Sequence, residues 1–165
     1  RVEKKYRLTP VQKESLLTCV QSHLTPDAHG RSTICSLYLD TPDHLLIRTS
    51  IEAKTYKEKL RLRSYGTPGA EDHVFLEIKK KYKGVVYKRR VSLTLEKAMG
   101  YITGGEKPLE SQIMSEIDYA MHFYRQPQPS MMIAYERDAY FDKDIPTLRI
   151  TTRGVIDVNT QTFIK

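Results

Sequence analysis

The feature that most constrains the fold of this chain is a period-two alternation of charged and apolar side chains in several separate segments. Residues 57–65 show it most clearly, because a cation stands at every second position with leucine between: Lys59, Arg61 and Arg63. Successive side chains of a β-strand point to opposite faces, so the segment predicts a strand with one charged and one apolar face. The chain must then bury the apolar faces against another layer.

Segments with strand patterns recur along the whole chain: 1–8, 33–40, 57–65, 74–82, 85–95, 130–141, 147–152 and, less regularly, 155–160. Lys83-Gly84 has the chemistry of a two-residue hairpin loop. Strands in consecutive hairpins, rather than in alternation with helices, predict an antiparallel sheet and the α+β class. Because an open sheet exposes its edges, we expect these strands to close into a barrel.

Helical spacing predicts three flanking helices: 10–24, 95–102 and 108–124. Thr9 suits the N-cap of the first of them, and Pro10 suits its first turn. Thr41-Pro42-Asp43 predicts a turn into a short helix or loop. With 165 residues, the chain has the length of a single domain, and we expect one domain over residues 1–165.

The net charge of +7 predicts an anionic partner without choosing among nucleic acid, acidic lipid and phosphate. No apolar run is long enough to span a bilayer, and the first residues are too polar for a signal peptide. Cys19 and Cys35 lack metal-type spacing, so we expect buried free thiols in a reducing cytoplasm. The chain begins with Arg1, which indicates an excised domain.

Further strands repeat the alternation of cations: Glu77, Lys79 and Lys81; Lys88 and Arg90; Arg137; Arg149. Arg89 breaks the pattern by falling on the apolar side. For one strand, a solvated sheet face explains the pattern well. When six strands share it with few carboxylates beside them, a closed barrel would gather about ten cations, whose repulsion calls for a polyanion.

Phosphate fits this set best, because arginine grips phosphate oxygens with two parallel donors and lysine adds a point charge. Glu3 and Glu77 are either ligands of a divalent cation or internal salt-bridge partners, and the sequence leaves both readings open. The scattered histidines do not suggest zinc, and no Walker loop or nucleophile elbow occurs. The tyrosines lie within strands and favour core packing over base stacking, so nucleic acid is the weaker alternative.

Seven ordered blocks resemble successive strands of the VTC polyphosphate polymerase domain, a member of the triphosphate tunnel metalloenzyme (CYTH-like) superfamily. The blocks are EKKY (3–6), SLYLDTPD (36–43), KLRLRSYG (59–66), FLEIK (75–79), VYKRRV (86–91), YER (135–137) and LRIT (148–151). The resemblance covers nearly the whole chain. It implies a closed antiparallel eight-stranded β-barrel, or tunnel, with flanking helices.

The resemblance also implies a site. Its phosphate-binding residues would be Lys5, Arg61, Arg63, Lys79, Lys88, Arg90, Arg137 and Arg149, of which Arg61, Arg63, Lys79, Arg137 and Arg149 would be catalytic. A divalent cation, Mn²⁺ or Mg²⁺, would be held by Glu3, Glu77 and Asp157. In VTC members the γ-phosphate of ATP is transferred onto a growing polyphosphate chain and ADP is released, whereas other members of the superfamily hydrolyse triphosphates.

The last strand departs from the family pattern of apolar-Glu-apolar-Lys, because Asp157 and Asn159 stand in the two polar places. Either this strand is altered, or a connecting segment near residues 152–156 and the true last strand are missing. Three readings therefore stay open: a metal-dependent polyphosphate polymerase, a triphosphate or polyphosphate hydrolase, and a noncatalytic polyphosphate-binding domain.

Overall fold

The computed structural model describes residues 3–28, 30–145 and 147–159, and it describes side chains up to residue 154. The chain forms two compact units. The first contains residues 3–32 and 136–154, and the second contains residues 33–135 and 155–159, within those described ranges.

The first unit begins with an exposed segment, residues 3–8, that is not a strand. The predicted strand 1–8 is therefore wrong over its described residues, and Tyr6 is 75% exposed. Helix α1 (Pro10–Val20) follows, and a capping box joins Thr9 to Gln12 at its start. The helix ends four residues earlier than predicted, because a 3₁₀ turn (Gln21–His23) and a short strand β1 (Leu24–Pro26) replace its last turn.

Strand β1 pairs antiparallel with the end of strand β6 (Gln128–Asp142), with Leu24 opposite Asp142 and Pro26 opposite Tyr140. Sequence analysis missed β1, since it read Thr25-Pro26 only as a helix stop. Strand β7 (Arg149–Asn159) pairs with β6. It is continuous through Gly154, where the sequence predicted two separate strands.

The second unit contains an antiparallel meander. Its strands are β2 (Ser32–Asp40), β3 (Tyr56–Tyr65), β4 (His73–Tyr82) and β5 (Val85–Thr94), with helix α2 (Leu45–Glu52) between β2 and β3. Each strand lies within one residue of its predicted bounds. Lys83 and Gly84 join β4 to β5, and both have the positive φ, 46° and 87°, that a type I′ hairpin turn requires.

One face of this meander packs against helices α3 (Leu95–Ile102) and α4 (Gln112–Phe123). Thr94 and Ser111 cap these two helices through their side-chain oxygens. The leucines and isoleucines between the cations form the core with the helices, and its fully buried members include Leu60, Leu62, Leu76, Ile78, Ile102, Met114, Ile117 and Met121. The opposite face of the meander is therefore the one that carries the alternating charges.

The α+β class, the antiparallel sheet and the flanking helices are confirmed. The closed eight-stranded barrel is wrong. In the described part of the chain the strands number seven, in the order β1-β6-β2-β3-β4-β5 with β7 beside β6, and β5 has β4 as its one strand neighbour. The physical reason is that alternation predicts which faces a strand has, whereas closure needs a partner for each edge.

No helix in the described ranges is long and apolar enough to cross a membrane. Both cysteines are free thiols, as expected, but only Cys35 is buried. Cys19 lies exposed on α1, because this helix buries none of its residues.

Candidate functional site

A single face of the second unit's meander collects most of the predicted phosphate-binding side chains. We call it the basic face, and it consists of Lys59, Arg61 and Arg63 on β3, Glu77 and Lys79 on β4, and Lys88 and Arg90 on β5. Six of its seven charged side chains are cations. The strands bring these residues onto one side because each lies an even number of positions from the others in its own strand.

The pairing register arranges the basic face in rows across the strands. Arg61 lies opposite Glu77, which lies opposite Arg90. In the next row, three lysines lie side by side: Lys59, Lys79 and Lys88. Like charges directly opposite each other repel, and Lys88 of this row is compensated by its ion pair with Glu77.

Glu77 lies at the centre of the basic face and is fully buried, with 0% of its surface exposed. Arg61 donates a hydrogen bond of 2.7 Å from Nε to Glu77 Oε2, and its Nη2 lies 2.7 Å from the same oxygen in an ion pair. Lys88 Nζ lies 2.8 Å from Oε1 of Glu77. This contact is an ion pair, but its angles do not meet the geometry of a hydrogen bond. The carboxylate therefore links a cation of β3 to a cation of β5.

The pKa of Glu77 reflects this environment. Burial acts to raise it, but contact with Lys88 and the charge and hydrogen bond of Arg61 outweigh burial, with a further contribution from Arg63. The pKa of the Glu77 carboxyl is consequently lowered. At neutral pH this group is ionised and acts as the counter-ion of its neighbours.

The other arginines of the basic face are oriented by neutral side chains. Arg63 donates from Nε to Ser36 Oγ at 3.2 Å. Arg90 lies over the ring of Phe75, with its guanidinium carbon 4.5 Å from the ring centroid. Such partners hold a guanidinium in place without cancelling its charge.

Arg61 has a neutral contact as well, because its Nη1 donates to the hydroxyl of Tyr38 at 3.3 Å. Sequence analysis did not single out Ser36, Tyr38 or Phe75 as supports of the cations. All three share the parity of the charged positions, but this parity depends on the register between strands, which the sequence did not reveal.

Arg89 falls on the opposite, helix-covered face, as the break in the alternation predicted. Its Nε lies 3.8 Å from Oε2 of Glu116 on α4. The same face buries a second carboxylate, Glu58, which accepts a hydrogen bond of 2.8 Å from the hydroxyl of Tyr124. Glu58 also lies 3.4 Å from Lys80 Nζ.

Three of the predicted phosphate-binding residues belong to the first unit. Lys5 lies in the exposed N-terminal segment, 3.8 Å from Glu3. Arg137 Nη2 lies 3.3 Å from Asp27 Oδ2. The guanidinium of Arg149 lies 4.2 Å from the ring centroid of Phe141. The structure thus gives each of them a partner within its own unit.

The first unit also contains a charged cluster that sequence analysis missed. Asp138 accepts hydrogen bonds from Arg31 Nε at 2.9 Å, Lys13 Nζ at 3.4 Å and Thr152 Oγ1 at 3.2 Å. The hydrogen bond from Arg31 is the main reason that the pKa of Asp138 is lowered. Because the cluster joins α1 to β6 and β7, its arrangement is that of an internal structural network.

The assignment of Glu3, Glu77 and Asp157 as metal ligands stays a prediction. Glu3 is largely exposed beside Lys5, Glu77 is engaged by two cations, and the side chain of Asp157 lies outside the described residues. Within the described residues there is no group of three or more His, Cys, Asp or Glu side chains placed to hold a metal ion.

Comparison with known protein families decides the family. The model of the VTC domain matches residues 1–159. The chain belongs to the VTC family. A comparison with curated proteins finds no match. Membership of the VTC family points to a polyphosphate-related function and agrees with placement in the CYTH-like superfamily.

Proposed function

We propose that this VTC domain binds inorganic polyphosphate, or a triphosphate group, on the basic face. The observation that carries the proposal is the basic face itself, where six cations share one side of the sheet with a single carboxylate that two of them already contact. Arg63 and Arg90 are held by neutral partners, so their positive charge remains available to an anion.

A linear chain of phosphates suits the basic face better than a compact anion does. The cations extend over three neighbouring strands and over several positions along each of them. A polyphosphate chain carries negative charge along its whole length, so it can contact several rows at once. Arginine supplies paired donors and lysine supplies a point charge to such a chain.

We further propose that the domain transfers the γ-phosphoryl group of ATP to the end of a polyphosphate chain. In this reaction a terminal oxygen of the chain forms a bond to the γ-phosphorus, the bond from that phosphorus to the β–γ bridging oxygen breaks, and ADP leaves. Arg61, Arg63 and Lys79 would stabilise the charge of the transferring group, without a protein nucleophile. The roles of Lys5, Arg137 and Arg149 stay predictions from family resemblance, as does the use of Mn²⁺ or Mg²⁺.

Two neighbouring arginines of β5 provide a matched test of binding. Arg90→Ala and Arg89→Ala each remove one positive charge from consecutive positions, but the first lies on the basic face and the second faces α4. We expect Arg90→Ala to weaken tripolyphosphate binding about tenfold or more and Arg89→Ala to change it less than about twofold, as measured by titration calorimetry. Equal losses would show that only net charge matters and would contradict the proposed site.

The reaction is tested by incubating the protein with ATP and Mn²⁺ and separating the products. Polyphosphate with ADP would support the polymerase, whereas inorganic phosphate with ADP would identify a hydrolase. Tight binding of tripolyphosphate without turnover would identify a noncatalytic binding domain. A protein that neither binds nor turns over these compounds would overturn the proposed function.

A further inference from the structure

Glu77 is the one acidic side chain of the basic face, and its surroundings differ from those of a metal ligand. Both of its oxygens face cations, with Arg61 on one and Lys88 on the other. Glu77 is fully buried. Among the described residues, it does not belong to any group of three or more His, Cys, Asp or Glu side chains that could hold a metal ion. A ligand of Mn²⁺ or Mg²⁺ instead presents free carboxylate oxygens beside further oxygen ligands.

The geometry assigns Glu77 another role, that of a positioning residue for the phosphate-binding cations. Arg61 is 14% exposed in its side chain and makes two donor contacts with a single oxygen of Glu77, which fix the plane of its guanidinium. The third contact of Arg61, to Tyr38, fixes the other edge of that plane. Arg61 is therefore presented in one orientation rather than in the many that a free arginine samples.

Lys88 is positioned from the other side of the same carboxylate. Its side chain is 40% exposed, so its ammonium group is both tethered and open to solvent. Lysine loses much rotamer freedom when it binds an anion, and a tether removes part of that loss beforehand. Through one carboxylate, β4 thus sets the spacing between a cation of β3 and a cation of β5.

We propose that Glu77 aligns Arg61 and Lys88 for binding a phosphate chain and does not ligate a metal ion. The inference rests on the proposed function, because it assumes that the basic face binds phosphate. It makes a counterintuitive prediction. Removing a negative charge should strengthen anion binding by simple Coulomb attraction, whereas loss of alignment should weaken it.

The test measures tripolyphosphate affinity by titration calorimetry in buffer with EDTA, so that metal ligation cannot contribute. We expect Glu77→Gln to weaken binding about tenfold to a hundredfold, because Arg61 and Lys88 lose their charged anchor. The dependence of affinity on salt concentration should also become shallower, since fewer cations contact the phosphates together. Affinity equal to or higher than that of the unaltered protein would overturn the inference.

Glu77→Asp provides a second variant, which keeps the negative charge beside Arg61 and Lys88. Aspartate is one methylene shorter, so it cannot hold Arg61 and Lys88 at the same spacing. We expect an affinity between those of the unaltered protein and Glu77→Gln, although net charge is unchanged. Binding equal to that of the unaltered protein would contradict the positioning role even if Glu77→Gln failed to fold.

Glu58→Gln is the matched control for the loss of a buried carboxylate. Glu58 lies on the opposite face of β3, is 6% exposed and also pairs with a lysine. We expect this variant to lower the thermal midpoint of unfolding while tripolyphosphate affinity changes less than about twofold. A loss of affinity matching that of Glu77→Gln would attribute both effects to general destabilisation and would refute the inference.

Two further outcomes separate the rival explanations. If Glu77→Gln binds normally in EDTA and is defective only when Mn²⁺ is added, Glu77 is a metal ligand and the inference is wrong. If the unaltered protein itself does not bind tripolyphosphate, the proposed function fails. If the unaltered protein and both Glu77 variants bind tripolyphosphate equally well, the positioning role of Glu77 is wrong, but the proposed function stands.

Discussion

The two faces of the β3–β4–β5 meander each bury one carboxylate, and the two are used differently. Glu77 on the basic face contacts two cations from two other strands. Glu58 on the helix-covered face contacts Lys80 and the hydroxyl of Tyr124, at the end of α4. Because one partner of Glu58 comes from a helix, that carboxylate connects layers, whereas Glu77 organises charge within one layer.

Burial of apolar side chains and concentration of charge are thus separated onto the two faces of a single sheet. The helix-covered face stabilises the fold through buried apolar side chains, whereas the basic face places charged side chains opposite one another across the strands. Adjacent residues of one strand should therefore affect different properties of the protein. Substitutions at such adjacent positions test whether the two faces affect stability and binding separately.

The largest effect on stability should come from the helix-covered face. Leu62 is 2% exposed, and we expect Leu62→Ala to lower the free energy of unfolding by about 2–5 kcal/mol through lost burial and a residual cavity. Its neighbour Arg63 faces the other way, so Arg63→Ala should change that free energy by less than about 1 kcal/mol. Urea denaturation measures both changes. Equal losses of unfolding free energy would refute the conclusion that the helix-covered face stabilises the fold more than the basic face does.

An intermediate effect on stability is expected within the basic face, where Glu77 has one largely buried partner, Arg61, and one more exposed partner, Lys88. Arg61→Ala should lower the free energy of unfolding by about 1–3 kcal/mol, because a buried oxygen of Glu77 loses both of its donors. Lys88→Ala should cost less, since its side chain is 40% exposed and better solvated. A larger loss of unfolding free energy for Lys88→Ala would contradict this order and would show that Lys88, rather than Arg61, is the more stabilising partner of Glu77.

The smallest effect should appear as a change of stability with pH. Because the folded-state pKa of Glu77 is lowered from its ordinary value of 4.5, the ionised group stabilises the fold above about pH 4.5. This contribution is lost as the pH falls through the lower, folded-state pKa. We expect the difference in unfolding free energy between the unaltered protein and Glu77→Gln to shrink over that window. A difference that stays constant from pH 6 to pH 3 would show that ionisation of Glu77 does not contribute.

Much of the meander was predictable from sequence, because alternation and turn chemistry are local properties. The strands β3, β4 and β5 lie within a residue of their predicted bounds, and Arg89 falls on the side that its break in the pattern indicated. The segment 1–8 alternates just as clearly and yet its described residues form no strand. Alternation therefore specifies the two faces of a strand but does not supply the neighbour that a strand needs.

The sequence predicted which residues belong to the candidate site, but not which of them contact one another. The cations of the basic face were identified by parity and by family resemblance, which the VTC match confirms at the level of the family. The sequence left Glu77 open between a metal ligand and a salt-bridge partner. Ser36 and Phe75 were not identified at all, because a neutral residue beside a cation carries no charge signal of its own.

The amino-acid sequence by itself specified the α+β class, the strands of the meander, the side chains that share a face and the family. Each of these depends on the order of residues within short segments. Which cations meet Glu77, which neutral side chains orient the arginines, and whether the sheet closes all depended on register between segments distant in the chain. Register is set by hairpin geometry and by packing of the apolar face on α3 and α4, so only the folded structure could reveal it.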